Sequence, residues 1–122
     1  MQTFSITDGP IDAETHVVEP RGEIDLATAG ILKTCLEGAL AADKRHVIVD
    51  LEDVDFIDST GLGVLLSVER RLQAGGGTLI VACPNEGVRK VFEITGLDQV
   101  LSLQASRKDA LLLAQSFAPT AG

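Results

Sequence analysis

The hydroxyls of Ser59 and Thr60 stand between the carboxylate of Asp58 and the glycines Gly61 and Gly63, within the run Phe56-Ile57-Asp58-Ser59-Thr60-Gly61-Leu62-Gly63. Residues this small at a helix start permit close approach of backbone, and the plainest use of Ser59 or Thr60 there is as an N-cap for the free amides. Several catalytic uses fail on spacing. A GxxxxGK[ST] phosphate loop needs a Lys, and none follows Gly61 or Gly63. A nucleophile elbow needs Gly two residues before the Ser, where Ile57 stands, and no spacing ties His16 or His46 to Ser59. Asp53, Asp55 and Asp58 do not make a calcium loop, since the register from Asp53 puts Ile57 at a ligand position and Asp58 where Gly must turn. Leu66 stands where a dinucleotide fingerprint needs its third small residue. No metal site, cofactor site or catalytic set is expected, and the chain is read as a non-enzyme.

What remains is a hydroxyl on which another protein acts. A phosphate on Ser59 would add about −1.5 to −2 charges. The N-terminal end of a helix dipole tolerates that charge, whereas Asp55 and Asp58 repel it, so phosphorylation is expected to alter the binding surface more than the fold.

The elements that must position this run alternate between strand and helix. Thr15–Gly22 begins as a strand, with Pro20 restricting it to an edge, a bulge or a strand end. From Ala27 to Ala42, Ile31, Leu32, Cys35, Leu36, Ala39 and Leu40 recur at helical spacing, with Asp25 or Thr28 at the cap. Val47–Leu51 is an apolar run suited to a strand buried on both faces. An acidic connection, Glu52–Asp55, leads to the Ser59 run and a second helix carrying Leu62, Leu65, Leu66, Glu69 and Leu72 up to Gly75–Gly77. Thr78–Cys83 is a further strand, Val88–Ile94 a third helix closed by Gly96, and Val100–Leu103 a brief strand. Ser106 caps a last helix with Leu111, Leu112, Leu113 and Phe117. Parallel neighbours need helical crossovers, so the expectation is an α/β domain: a mixed sheet of four to five strands packed with about four helices, over residues 3–117 and followed by a flexible tail at 118–122.

Composition narrows the partners. The 122 residues suit one domain, and 45% hydrophobic residues with a mean hydropathy of +0.24 provide for a core. Ten Lys and Arg against 18 Asp and Glu leave a net charge of −8, which repels nucleic acid and anionic lipid alike. Trp and Tyr are absent, so stacking platforms for bases are missing. Cys35 and Cys83 lie far apart without a CxxC, as expected of reduced thiols in a cytoplasmic protein, and the sequence offers no run fit to insert in a membrane. The acidic set Glu52, Asp53, Asp55 and Asp58 calls for a partner with a basic patch, and Leu62 is expected to supply apolar contact to it.

The stretch Val47–Leu66, VIVDLEDVDFIDSTGLGVLL, resembles the signature of bacterial anti-sigma factor antagonists of the STAS domain family. The resemblance extends to Gly22-Glu23-Ile24-Asp25, to Thr28-Ala29, to the Gly75–Gly77 turn and to Val88–Leu97, and so spans nearly the whole chain. It implies that Ser59 is the residue phosphorylated by an anti-sigma factor serine kinase, and that Asp25, Asp58 and the helix start Thr60, Gly61 and Leu62 lie on the kinase-binding face. It implies further that a PP2C-type phosphatase restores the active form, and it is compatible with a weak homodimer. The unphosphorylated protein would then hold the kinase and free a sigma factor. The alternative is a soluble STAS subunit of a transporter or stress-signalling complex. Pro20 departs from the family pattern and bears on the length of the strand that contains it.

Overall fold

The computed structural model describes residues 3–117; the tail expected at 118–122 lies outside the described residues. The elements run in the order β1 (Ser5–Pro10), β2 (Thr15–Ile24), α1 (Ala29–Ala41), β3 (His46–Asp50), β4 (Val54–Ile57), α2 (Ser59–Ala74), β5 (Thr78–Ala82), α3 (Glu86–Ile94), a 3₁₀ turn (Leu97–Gln99), β6 (Ser102–Gln104) and α4 (Arg107–Ser116). The α/β class and the four helices are as expected, and the sheet is mixed, with six strands. The order is β1-β2-β3-β5-β6, and β4 pairs with β2 off this path. Only β1–β2 is antiparallel.

Each additional strand has a reason to be inconspicuous in the sequence. β1, SITDGP, is a largely exposed edge strand without apolar alternation. β4, VDFI, lies within what reads as an acidic connection, and it buries Val54 and Ile57 while its two middle residues face out. Pro20 does not shorten β2, which runs ten residues. The strand pairs with β3 as far as Val18 and with β4 from Gly22, so Pro20 falls in the interval where one neighbour replaces the other and a lost donor breaks no parallel ladder. Gly22 takes φ +100° beside the register shift, a backbone state that glycine adopts without strain.

Two apolar layers hold the sheet. On one face, α1, α2 and α3 close over Val18, Ile24, Val47, Val49, Leu79 and Val81. On the other, α4 lays Ala110 and Ala114 against Val17, Ile48, Ile80 and Ala82. Of the residues expected on the apolar face of that helix, Leu111 and Leu113 pack at its margins around the buried alanines, while Leu112 and Phe117 are exposed. Burying one Leu side chain is worth roughly 1.5–3 kcal/mol, so these layers account for much of the stability.

One carboxylate lies inside the larger layer. Glu69 of α2 is 3% exposed, and its Oε2 accepts the Leu79 N–H at 2.8 Å. Leu79 is the second residue of β5, one before pairing with β6 begins at Ile80, so the carboxylate supplies the acceptor that the short neighbouring strand does not reach. Burial raises the Glu69 pKa despite this hydrogen bond. A carboxyl with a raised folded pKa binds its proton more tightly in the folded state, so its stability contribution is full below the unfolded pKa and falls as pH rises through the folded pKa. Glu69→Gln keeps an acceptor for Leu79 N–H and removes the charge. Its melting temperature relative to the parent should rise between pH 5 and pH 8; an offset independent of pH would mean that Glu69 carries no buried charge.

Candidate functional site

β2 and β4 run parallel, pairing Ile24 with Ile57, and the two chains leave the sheet together. Asp25 and Asp58 therefore follow side by side at the carboxyl ends of adjacent strands, each at the entrance to a helix. The Asp58 N–H donates to the Ile24 carbonyl at 3.0 Å, which ties the two exits to each other.

Each aspartate organises the turn it enters. Asp58 is the N-cap of α2: its Oδ1 accepts from Thr60 N–H at 2.9 Å and from Gly61 N–H at 3.2 Å, and its carbonyl accepts from Leu62 N–H at 3.0 Å. The cap is thus Asp58, in place of the Ser59 or Thr60 expected from sequence. Asp25 Oδ1 accepts from Ala27 N–H at 2.9 Å and Thr28 N–H at 3.2 Å. Thr28 Oγ1 accepts from Asp25 N–H at 2.9 Å and donates to the Glu23 carbonyl at 2.8 Å. That reciprocal pair fixes the approach to α1, whose formal N-cap is Thr28.

Because Asp58 does the capping, the Ser59 side chain is left without a structural task. Ser59 is exposed at the first position of α2, and neither its hydroxyl nor its N–H has a partner among the described residues. Thr60 is half-buried and turns into the groove between α1 and α2. The two hydroxyls are therefore inequivalent: one is exposed to solvent, the other faces a neighbouring helix.

Gly61 is explained by packing. A Cβ there would stand 2.5 Å from Ile24 Cγ2 and 2.9 Å from Ile57 Cγ1, so the start of α2 rests directly on the two strands that deliver Asp25 and Asp58. Leu62 is only 5% exposed and belongs to the core, which corrects the expectation that its side chain offers apolar contact at the surface. That role is open instead to Leu26, 81% exposed beside Asp25, and Phe56, 47% exposed on β4. The sequence signal for Leu26 is a leucine just ahead of a helix and off its apolar stripe; Phe56 gives none beyond its place in a short strand. Glu23, Glu52, Asp53 and Asp55 are also exposed around these strands, so the apolar margin is bordered by carboxylates. Among the described residues no cluster suited to a metal is found, and none of the helices is long and apolar enough to cross a membrane.

A family model described as the STAS domain matches residues 8–110. An anti-sigma-B factor antagonist of Bacillus subtilis (strain 168) is 34% identical over 84 residues, or 69% of this chain and 76% of the relative. Among solved structures, an anti-sigma factor antagonist from Mycobacterium paratuberculosis is similar with a TM-score of 0.76 and 30% identity, covering 92% of this chain and 96% of that one. The Bacillus cell fate determinant SpoIIAA is similar in its phosphorylated form, with a TM-score of 0.67 and 26% identity over 91% and 98% of the two chains. The anti-sigma factor antagonist SpoIIAA in its unphosphorylated form gives 0.78 and 25% over 94% and 100%.

The geometry separates capping, packing and exposure by residue. Asp58→Ala should cost about 0.5–2 kcal/mol, and Gly61→Ala about 1–3 kcal/mol through its contact with Ile24 and Ile57, while Ser59→Ala changes stability by less than about 0.5 kcal/mol. Urea unfolding of the three variants checks this ranking. A Ser59→Ala loss as large as that of Asp58→Ala would return the cap to Ser59.

Proposed function

The chain belongs to the STAS domain family, and on that premise we propose that it is an anti-sigma factor antagonist switched by phosphorylation of Ser59. The observation that carries the reading is the exposed, unpartnered Ser59 hydroxyl at a helix start already capped by Asp58. A partner serine kinase that is also the anti-sigma factor would transfer the γ-phosphoryl group of ATP to Ser59 Oγ, releasing ADP and the hydroxyl proton. In the unphosphorylated state the protein would hold that kinase and so free a sigma factor; a PP2C-type phosphatase would hydrolyse the phosphoester and restore binding.

Electrostatics favour a surface switch. The Thr60 and Gly61 amides are taken by Asp58, so a phosphate on Ser59 cannot replace the cap without breaking it. It would project outward, with only the Ser59 N–H and the helix dipole in its favour and Asp25, Asp55 and Asp58 nearby opposing it. A partner seated there would have to desolvate a dianion among carboxylates, which is costly even where a counter-charge is provided. Asp25, Asp58, Thr60 and the backbone at Gly61 and Leu62 would then be the polar part of the docking face, with Leu26 and Phe56 its apolar part.

Mass spectrometry after incubation with the cognate kinase and ATP should place the phosphate on Ser59; phosphate on Thr60, or on neither residue, would refute the assignment. Ser59→Asp should weaken kinase binding about ten-fold or more, with little change in melting temperature, while Ser59→Ala retains binding. Calorimetric titration beside thermal melts decides, and a large drop in melting temperature for Ser59→Asp would instead signal damage to the fold. The acidic border predicts an association rate that falls with salt, as charges beyond ~8 Å are screened at physiological ionic strength. Stopped-flow rates independent of salt would leave those carboxylates a solubilising role only.

A further inference from the structure

Of the two glycines that follow Ser59, the fold accounts for one. Gly61 is pressed against Ile24 and Ile57, whereas a Cβ on Gly63 would meet nothing within 4 Å, and Gly63 is not among the residues with positive φ. Glycine weakens a helix interior, so its presence here needs a reason other than packing or backbone conformation. Gly63 lines a groove of about 230 Å³ between α1 and α2. The groove follows one stripe of α2, from Thr60 through Gly63, Val64 and Ser67 to Arg71, and Lys33 of α1 forms its other wall. Lacking a side chain at Gly63, the groove stays open next to the half-buried Thr60.

Its lining carries two cations in a protein of net charge −8. Lys33 has no ion-pair or hydrogen-bond partner among the described residues, and Arg71 bonds Glu37 of α1 at 3.2 Å across the far end. Along the α2 wall Ser67 lies one turn before Arg71 and Thr60 stands at the opposite end, while Val64 supplies an apolar patch. Two cations and the Ser67 hydroxyl match the several acceptor oxygens of a phosphate better than the two of a carboxylate. The volume is below the range of drug-sized pockets, which limits the ligand to a small one.

We propose that the α1–α2 groove binds a small phosphomonoester, its phosphate between Lys33 and Arg71 and a short aliphatic body over Val64. Lys33 is available to the ligand directly; Arg71 exchanges Glu37 for the phosphate. Ser67, one turn from Arg71, donates to a remaining oxygen, and Thr60 lies too far along the helix to reach the same phosphate. The site does not rest on the reading of Ser59, and its failure would leave that reading as it stands.

The test is a titration of the isotopically labelled full chain, followed by amide spectra, with butyl phosphate, inorganic phosphate, pentanoate and butanol in parallel. Butyl phosphate should give saturable shifts at Lys33, Thr60, Gly63, Val64 and Ser67, inorganic phosphate and pentanoate weaker ones, and butanol none. Lys33→Ala and Arg71→Ala should each weaken butyl phosphate about ten-fold, the loss expected of a charge-assisted contact. Gly63→Leu, which fills the groove from open space, should abolish the saturable shifts while leaving the rest of the spectrum unchanged. Should Gly63→Leu disturb the fold, Ser67→Leu fills the same groove from an exposed position. The proposal is overturned if the groove amides do not move, if Lys44 and Arg107 respond as strongly as Lys33, if pentanoate binds as tightly as butyl phosphate, or if a folded, plugged variant binds like the parent.

Discussion

The site depends on one carboxylate. Asp58 accepts the Thr60 and Gly61 amides through its side chain, and through its own N–H it donates to the Ile24 carbonyl, so strand β2, strand β4 and helix α2 meet at a single residue. The adjoining Gly61 brings the helix down onto Ile24 and Ile57, which no larger residue would permit in this arrangement. Because these two residues carry the capping and the packing, Ser59 between them and the sheet's edge is released from both duties. The proposed modification at Ser59 would therefore act on a surface whose support lies elsewhere.

That support is deep. β3 is buried along its whole length, with helices α1 to α3 on one face and α4 on the other, and the carboxyl ends of β2 and β4 are held to this slab through the paired Ile24 and Ile57. Even the polar group inside the larger layer, Glu69, has a backbone task at the start of β5. Interiors packed this closely change by repacking as a unit. A single added charge at an exposed helix start, opposed by carboxylates and favoured by a dipole, is a small perturbation for such a body and a large one for a docking face.

Much of this was legible from residue patterns because it rests on burial. Val47–Leu51 and Thr78–Cys83 read as central strands because both faces are covered, Gly75–Gly77 ends α2, and Ser106 caps α4 through the Asp109 amide. β1 and β4 escaped because edge strands need little apolar pattern, and their exposed positions hold Asp, Thr and Phe. Leu62 shows a different limit. Its spacing with Leu65 and Leu72 already places it on the buried stripe of α2, and the expectation of apolar contact at the surface overlooked that stripe. Whether Asp58 or Ser59 caps α2 is a choice between neighbouring residues of similar capping power, and it is the pairing of β4 with β2 that decides it.

The central claim is that phosphate on Ser59 changes the surface and leaves the fold as it is. Amide spectra of the protein before and after stoichiometric phosphorylation test this most directly. Shifts should be confined to residues 24–28 and 55–63, with the amides of β3 and β5 unmoved and the Thr60 and Gly61 amides still hydrogen-bonded to Asp58. Shifts spreading through β3 and β5, or release of those two amides, would contradict the account and make the switch a change of structure.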